Sequence, residues 1–164
     1  LEERMAPIRN AAKAVIIEGG RLLVTKNRDR EGAFYLLPGG EEEAGETLRE
    51  ALVRECLEEA GTRVEVGDLL FVREYIAAHH EFADSERDVH QVELMFACRR
   101  LDEEDPSGRA VPDSWQIGVG WLDAKDLGRA RFYLAALKEA PAPARAGRRK
   151  KCPALSRGRE LKRA

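Results

Sequence analysis

Residues Gly39–Gly61 read GGEEEAGETLREALVRECLEEAG. Eight of these residues are glutamate, set between a glycine pair and a closing glycine. A solvated acidic helix accounts for that composition, but not for the grouping of Glu55, Glu58 and Glu59 beside Arg54. Thr47-Leu48-Arg49-Glu50 has the form of a capping box, with a hydroxyl to cap the first turn and a glutamate three residues on to reach back. Leu48, Ala51, Leu52 and Cys56 recur at helical spacing and form one apolar face. Gly61 accepts the left-handed conformation that closes a helix C-terminus. The stretch therefore predicts a helix from Thr47 to Ala60.

On such a helix, positions i, i+3 and i+4 share a face, so Glu55, Glu58 and Glu59 project together. Like charges at this spacing cost roughly a few tenths of a kcal/mol per pair when exposed. Near the C-terminus they also meet the unfavourable end of the helix dipole. A helix built only for stability would carry Lys or Arg there, and local conflicts of this kind tend to mark functional sites. A hard divalent cation resolves the conflict, because Mg²⁺ prefers oxygen ligands and commonly joins a few carboxylates to substrate phosphates. Arg54 is placed to orient one carboxylate. Gly39-Gly40 brings backbone close, with a carbonyl able to ligate metal.

Working outward, Ala12–Ile17 and Arg21–Thr25 flank the turn residues Glu18-Gly19-Gly20 and read as a hairpin. Lys26–Gly32 reads as a charged loop, Phe34–Leu37 as a short strand ending at Pro38, and Glu41–Glu46 as a loop. Beyond the helix, Arg63–Val66, Leu69–Ala77, His90–Arg99 and Gln116–Leu122 are strand candidates. Asp123–Leu127 reads as a capped turn or short helix. Ala130–Ala140 reads as an amphipathic helix broken by Pro141. Strands interspersed with two helices point to an α/β or α+β layered fold.

A chain of 164 residues fits one domain with a tail. The expected division is an N-terminal extension over 1–10, the domain over 11–140 and a basic extension over 141–164. No apolar run approaches membrane-spanning length, and the N-terminus lacks the order of a signal peptide. Cys56, Cys98 and Cys152 are widely spaced and odd in number, which suits reduced thiols in a cytoplasmic protein. The net charge of −2 conceals an asymmetry. From Pro141 onward there are nine Lys/Arg and one acid, which leaves 19 basic and 29 acidic residues before it. An acidic body argues against a broad nucleic-acid surface and suits a cation site. The basic tail lacks aromatic residues for stacking, so nucleic acid is not the expected partner.

The order from Gly40 to Thr62 resembles the Nudix box of the Nudix hydrolases. Its fixed positions are filled by Gly40, Glu46, Arg54, Glu55, Glu58, Glu59 and Gly61. Tyr35-Leu36-Leu37-Pro38-Gly39-Gly40 resembles the family's lead-in. Two aliphatic positions depart from the pattern: Cys56, which is apolar enough to serve, and Thr62, whose polarity is expected to loosen packing without touching chemistry. The resemblance implies an α/β/α sandwich around a mixed β-sheet. It also implies hydrolysis of a nucleoside diphosphate linked to another moiety, by water, with Mg²⁺ or Mn²⁺. By position, Glu55, Glu58 and Glu59 would hold the metal, with the Gly39 carbonyl as a further ligand. Glu55 would also act as base or orient the water, and Arg54 and Glu46 would pair with and orient the cluster. The partner would be a nucleotide-containing small molecule, with ADP-ribose or a nucleotide sugar ahead of a (d)NTP. No membrane partner is expected, and a homodimer is left open. A ligand sensor or nucleic-acid-binding module of the same fold without turnover is the alternative.

Outside the box, Glu93 alternates with Val92 and Leu94 on a strand and is a candidate distal ligand or base. Glu74 is a weaker candidate of the same kind. His79, His80 and His90 show no ligand spacing, and His90 suits a strand-end hydrogen bond. Tyr35, Phe71, Phe82 and Trp121 are read as packing residues before base-stacking ones. Lys26 and Arg28 suit a surface before a phosphate site. No substrate-binding residue can be named from the sequence.

Overall fold

The computed structural model describes residues 7–77, 89–107 and 115–132. Within them lie eight strands and one α-helix. The strands are β1 (Arg9–Val15), β2 (Ile17–Glu18), β3 (Arg21–Asp29), β4 (Gly32–Leu36), β5 (Gly39–Glu41), β6 (Val64–Ile76), β7 (His90–Arg100) and β8 (Gln116–Asp123). The helix α1 (Leu48–Ala60) joins β5 to β6. One sheet has the order β5-β1-β7-β6 and is mixed: β1 and β7 run parallel, while β5 and β6 pair antiparallel with their neighbours. In the second sheet β3 pairs antiparallel with β2, β4 and β8.

The helix packs on the mixed sheet through small residues on both sides. Ala12 and Ala14 of β1 and Ala51 and Ala60 of α1 are all fully buried, together with Leu52, Cys56 and, nearly so, Phe96. Small side chains let the helix lie close to β1, which later places its carboxylates against β5. A second core, Val15, Leu22, Val24, Leu37, Met95 and Phe132, joins the two sheets. Burial pushes the Cys56 thiol up, and the Cys98 thiol up to about 11. Both are free cysteines. No helix among the described residues is long and apolar enough to cross a membrane.

Several elements differ from the sequence reading. The expected hairpin is confined to Ile17–Glu18, which pairs with Leu22 and Arg21. Its first strand belongs to the other sheet, because the chain changes sheets at the buried Ile16, whose carbonyl accepts from the Leu23 amide at 2.9 Å. The charged loop Lys26–Gly32 is largely strand. Asn27, a polar residue, occupies the buried position that an apolar residue usually marks, and this hides the alternation. The turn shrinks to Arg30-Glu31, held by the Asp29 carboxylate, which accepts from the Glu31 and Gly32 amides and from Arg131. Arg131 is the main cause of the lowered Asp29 pKa.

Residues 63–66 and 69–77 are not two strands. Val64–Ile76 is continuous, with register irregularities between Val66 and Phe71, where Gly67 and Asp68 interrupt the apolar pattern. Gly39–Glu41, expected to end a strand and begin a loop, is itself a strand. Asp123 caps its 3₁₀ turn, Ala124–Asp126, without a side-chain hydrogen bond. The helix expected over Ala130–Ala140 does not begin there: Phe132 forms an isolated bridge with Tyr35, and residues 133–140 lie outside the described residues. So do His79, His80, Phe82, Cys152 and the basic extension.

Candidate active site

The helix carrying the carboxylates starts as its sequence dictates. The Glu50 amide donates to Thr47 Oγ1, and the Thr47 amide donates to Glu50 Oε2 at 2.8 Å. The Thr47 amide, and then its hydroxyl at 2.8 Å from Oε2, hold the Glu50 carboxyl below its usual pKa. The helix ends at Gly61 in the left-handed conformation (φ 61°), with its amide hydrogen-bonded to the Leu57 carbonyl.

Strand β5 brings the glycine pair to this helix. Gly39 has φ 131°, and a Cβ there would lie 2.1 Å from the Ala12 carbonyl oxygen, so no larger residue fits. A Cβ on Gly40 would lie 2.7 Å from Cδ and Oε1 of Glu55. Glycine at 40 is therefore what allows the Glu55 carboxylate to rest on the β5 backbone. Glu59 reaches the same strand, where its Oε2 accepts the Gly39 amide at 3.0 Å.

Arg54 joins four backbone and side-chain groups of the site. It binds Glu46 in a two-pronged pair (Nε to Oε1 2.7 Å, Nη2 to Oε2 3.0 Å). Its Nη1 donates to Glu55 Oε1 at 2.7 Å and lies 3.6 Å from Glu58 Oε2. Its Nη2 also donates to the Glu41 carbonyl at 3.0 Å. The Glu46 pKa falls from 4.5 to about 2, chiefly through the Arg54 hydrogen bond and then the Glu43 amide. The Arg54 pKa moves upward, with Glu46 and then Glu55 as its main causes.

The loop glutamates left without a role in the sequence are engaged as well. Glu41 pairs with Arg9, and Glu42 accepts from the Asn10 side chain at 3.0 Å. Thr62, expected to loosen packing, is fully buried and bonded. Its hydroxyl accepts from Arg100 Nε at 3.1 Å and lies 3.4 Å from Asp102 Oδ2. The Arg63 amide, then its guanidinium, holds the Asp102 carboxyl low. A polar residue at 62 thus ties the end of α1 to the chain after β7.

The structure brings Gly39, Glu46, Arg54, Glu55, Glu58 and Glu59 together. Among the described residues, the partners of the Glu93 carboxylate are Arg73 and Gln91, on β6 and β7. Glu93 is paired in register with Ala11, on the face of the mixed sheet opposite Ala12 and Ala14, which contact α1. It is buried there, with Arg73 Nη2 at 2.6 Å and Gln91 Nε2 at 2.7 Å on its carboxylate. Glu74 is exposed and lies 2.7 Å from His90 Nε2, the strand-end bond expected of that histidine. Tyr35 and Phe71 pack against the inter-sheet core, and Trp121 lies beneath Arg21 and Arg100. Lys26 and Arg28 are exposed on β3.

Two residues of the site left no mark in the sequence. Lys13 Nζ donates to the Gly39 carbonyl. Gln116 Nε2 donates to the Glu59 carbonyl at 2.8 Å across 57 residues of chain. Neither belongs to a motif, and only the fold makes them neighbours.

Among the described residues, no three His, Cys, Asp or Glu side chains are gathered into a metal-holding group. The pairing gives the reason. Arg54 draws Glu55 and Glu58, and the Gly39 amide draws Glu59. The donor chemistry nevertheless suits a hard divalent cation, since three carboxylates and one backbone carbonyl are all oxygen. Cationic side chains already rest on the Gly39 carbonyl, Glu55 and Glu58.

Comparison with known proteins agrees with this geometry. The NUDIX domain family matches residues 7–144. A MutT-like protein of Streptomyces ambofaciens is 30% identical over 130 residues, covering 79% of this chain and 72% of that protein. The crystal structure of a MutT NUDIX hydrolase from Burkholderia pseudomallei is similar, with 28% identity, a TM-score of 0.59, and 74% of this chain and 88% of that one covered. An ADP-ribose pyrophosphatase from Streptococcus suis shares the fold at 23% identity and a TM-score of 0.53, over 78% of this chain and 81% of that one. A family match over residues 7–144, with a relative 30% identical over most of the chain, makes this chain a member of the Nudix hydrolase family.

Proposed function

We propose that the protein is a divalent-cation-dependent pyrophosphohydrolase that cleaves a nucleoside diphosphate linked to another moiety. The observation that carries this reading is the carboxylate face of α1, held against the Gly39-Gly40 backbone by Arg54 and Glu59. Glu55, Glu58, Glu59 and the Gly39 carbonyl are the residues that would hold Mg²⁺ or Mn²⁺. The bound ion would neutralise phosphate charge and lower the pKa of an attacking water.

The chain's own residues set the rest. Arg54 fixes the orientation of Glu55 and keeps Glu58 beside it, and Glu46 locks Arg54 to the loop before the helix. Glu55, nearest to the Gly40 backbone, is the candidate base that accepts a proton from water or orients that water. Lys13 adds positive charge at the Gly39 carbonyl, where an anionic substrate gains from it. Glu93, held by Arg73 and Gln91, is the candidate distal ligand or base.

Within the substrate class, ADP-ribose or a nucleotide sugar stands first and a (d)NTP second. An ADP-ribose pyrophosphatase shares the fold. The test is a panel of ADP-ribose, nucleotide sugars, (d)NTPs and dinucleotide polyphosphates with Mg²⁺ or Mn²⁺, with products identified by mass. Release of a nucleoside monophosphate with metal, and none with chelator, is expected. Turnover unaffected by chelator contradicts the reading.

A further inference from the structure

The last turn of α1 carries Glu58 and Glu59 at the negative end of the helix dipole, with no basic residue in that turn. The final four carbonyls of a helix have no intrahelical partner. The Gly61 amide takes the Leu57 carbonyl at 3.1 Å, and the Thr62 amide lies 3.4 Å from the Cys56 carbonyl. The Glu59 carbonyl is taken instead by the side chain of Gln116, the first residue of β8. Gln116 is 5% exposed. Its bond at 2.8 Å is part-buried, and reduced contact with water strengthens a hydrogen bond electrostatically. It is also a tie between sheets: β8 pairs with β3, whereas α1 packs on the mixed sheet.

A neutral amide is the donor that this place requires. A lysine or arginine there would also satisfy the carbonyl, but its charge would compete for the carboxylates of Glu58 and Glu59, as Arg54 already does for Glu55 and Glu58. Glutamine anchors the turn without bringing a charge of its own.

We propose that Gln116 is a positioning residue for the carboxylate face: by fixing the last turn of α1 to the second sheet, it sets where Glu58 and Glu59 project. This rests on the metal-dependent reading above. The test uses the full chain and Gln116→Met, which keeps the length of the side chain and removes its donor. Mn²⁺ binding is measured by titration calorimetry without substrate, and kcat and KM are measured at saturating metal. Mn²⁺ affinity and kcat should each fall about tenfold, the scale seen when a group supporting a metal ligand is lost, with KM unchanged. A merely structural anchor would lower the melting temperature and leave Mn²⁺ affinity and kcat at wild-type values; that result overturns the proposal. Should Gln116→Met not fold, Gln116→Asn keeps the amide but withdraws it by one methylene, and the same criterion applies. Glu58→Gln separates the two levels. If it weakens Mn²⁺ binding and Gln116→Met does not, only the role of Gln116 falls. A wild-type protein that binds no Mn²⁺ overturns both.

Discussion

Both ends of α1 carry glutamate, one at the first turn and two at the last, and they use it in opposite ways. At the N-terminus, Glu50 faces the favourable end of the dipole and, among the described residues, its carboxylate bonds to Thr47, within its own turn. The glutamate at that end is satisfied locally. At the C-terminus, Glu58 and Glu59 face the unfavourable end, and the groups that bind them lie outside the last turn: Arg54 one turn back on α1, the Gly39 amide on β5 and Gln116 on β8. One end serves the stability of the helix. The other is stabilised by the fold so that the carboxylates can serve chemistry.

This contrast can be broken by substitution, and Arg54→Ala should do the most damage. It strips the partner from Glu46, Glu55 and Glu58 together, and turnover should fall about a hundredfold, the upper range for a supporting group. Steady-state kinetics checks this, with circular dichroism confirming the helix. Gly40→Ala comes next. Its Cβ would meet the Glu55 carboxyl, the far end of a flexible side chain, so the fold should survive while turnover drops about tenfold through misplacement of that group. Turnover equal to wild type would show that Glu55 does not depend on its contact with β5.

The N-terminal end should respond differently. Thr47→Ala should lower stability by about 1 kcal/mol, read from urea unfolding, and leave kcat and KM unchanged. A loss of turnover there would dissolve the contrast between the two ends. The smallest effect concerns acid. Because the folded Glu46 pKa is lowered from 4.5 to about 2, its pairing with Arg54 stabilises the fold fully above pH 4.5 and is lost as pH falls toward 2. The melting-temperature advantage of wild type over Glu46→Gln should therefore shrink across that window. An advantage constant from pH 6 to pH 2.5 would contradict the pairing.

The same contrast explains what the sequence could and could not disclose. The capping box, the apolar face of α1 and Gly61 are local, so residues a few positions apart predict them and the structure agrees. The pairing of Glu46 with Arg54 spans eight residues and was implied by the resemblance to the Nudix box. Lys13 and Gln116 were not legible, because their partners lie 26 and 57 residues away and are brought near only by strand pairing. Buried polar residues misled in the same way. Asn27 disguised a strand as a loop, and Thr62 passed as a packing defect although Arg100 and Asp102 complete it. The change of sheets at Ile16 is equally silent, since an apolar run does not reveal which sheet receives it.

The central claim is that the carboxylates at the C-terminal end of α1 exist to hold a cation for hydrolysis. Glu58→Gln tests it most directly, because the substitution removes one charge and almost no volume. Mg²⁺-dependent release of nucleoside monophosphate by this variant should fall at least a hundredfold, of the order expected for loss of an essential charged group. Its melting temperature should equal or exceed that of wild type, because a repulsive charge is gone from the negative end of the helix. Wild-type turnover in Glu58→Gln would contradict the account.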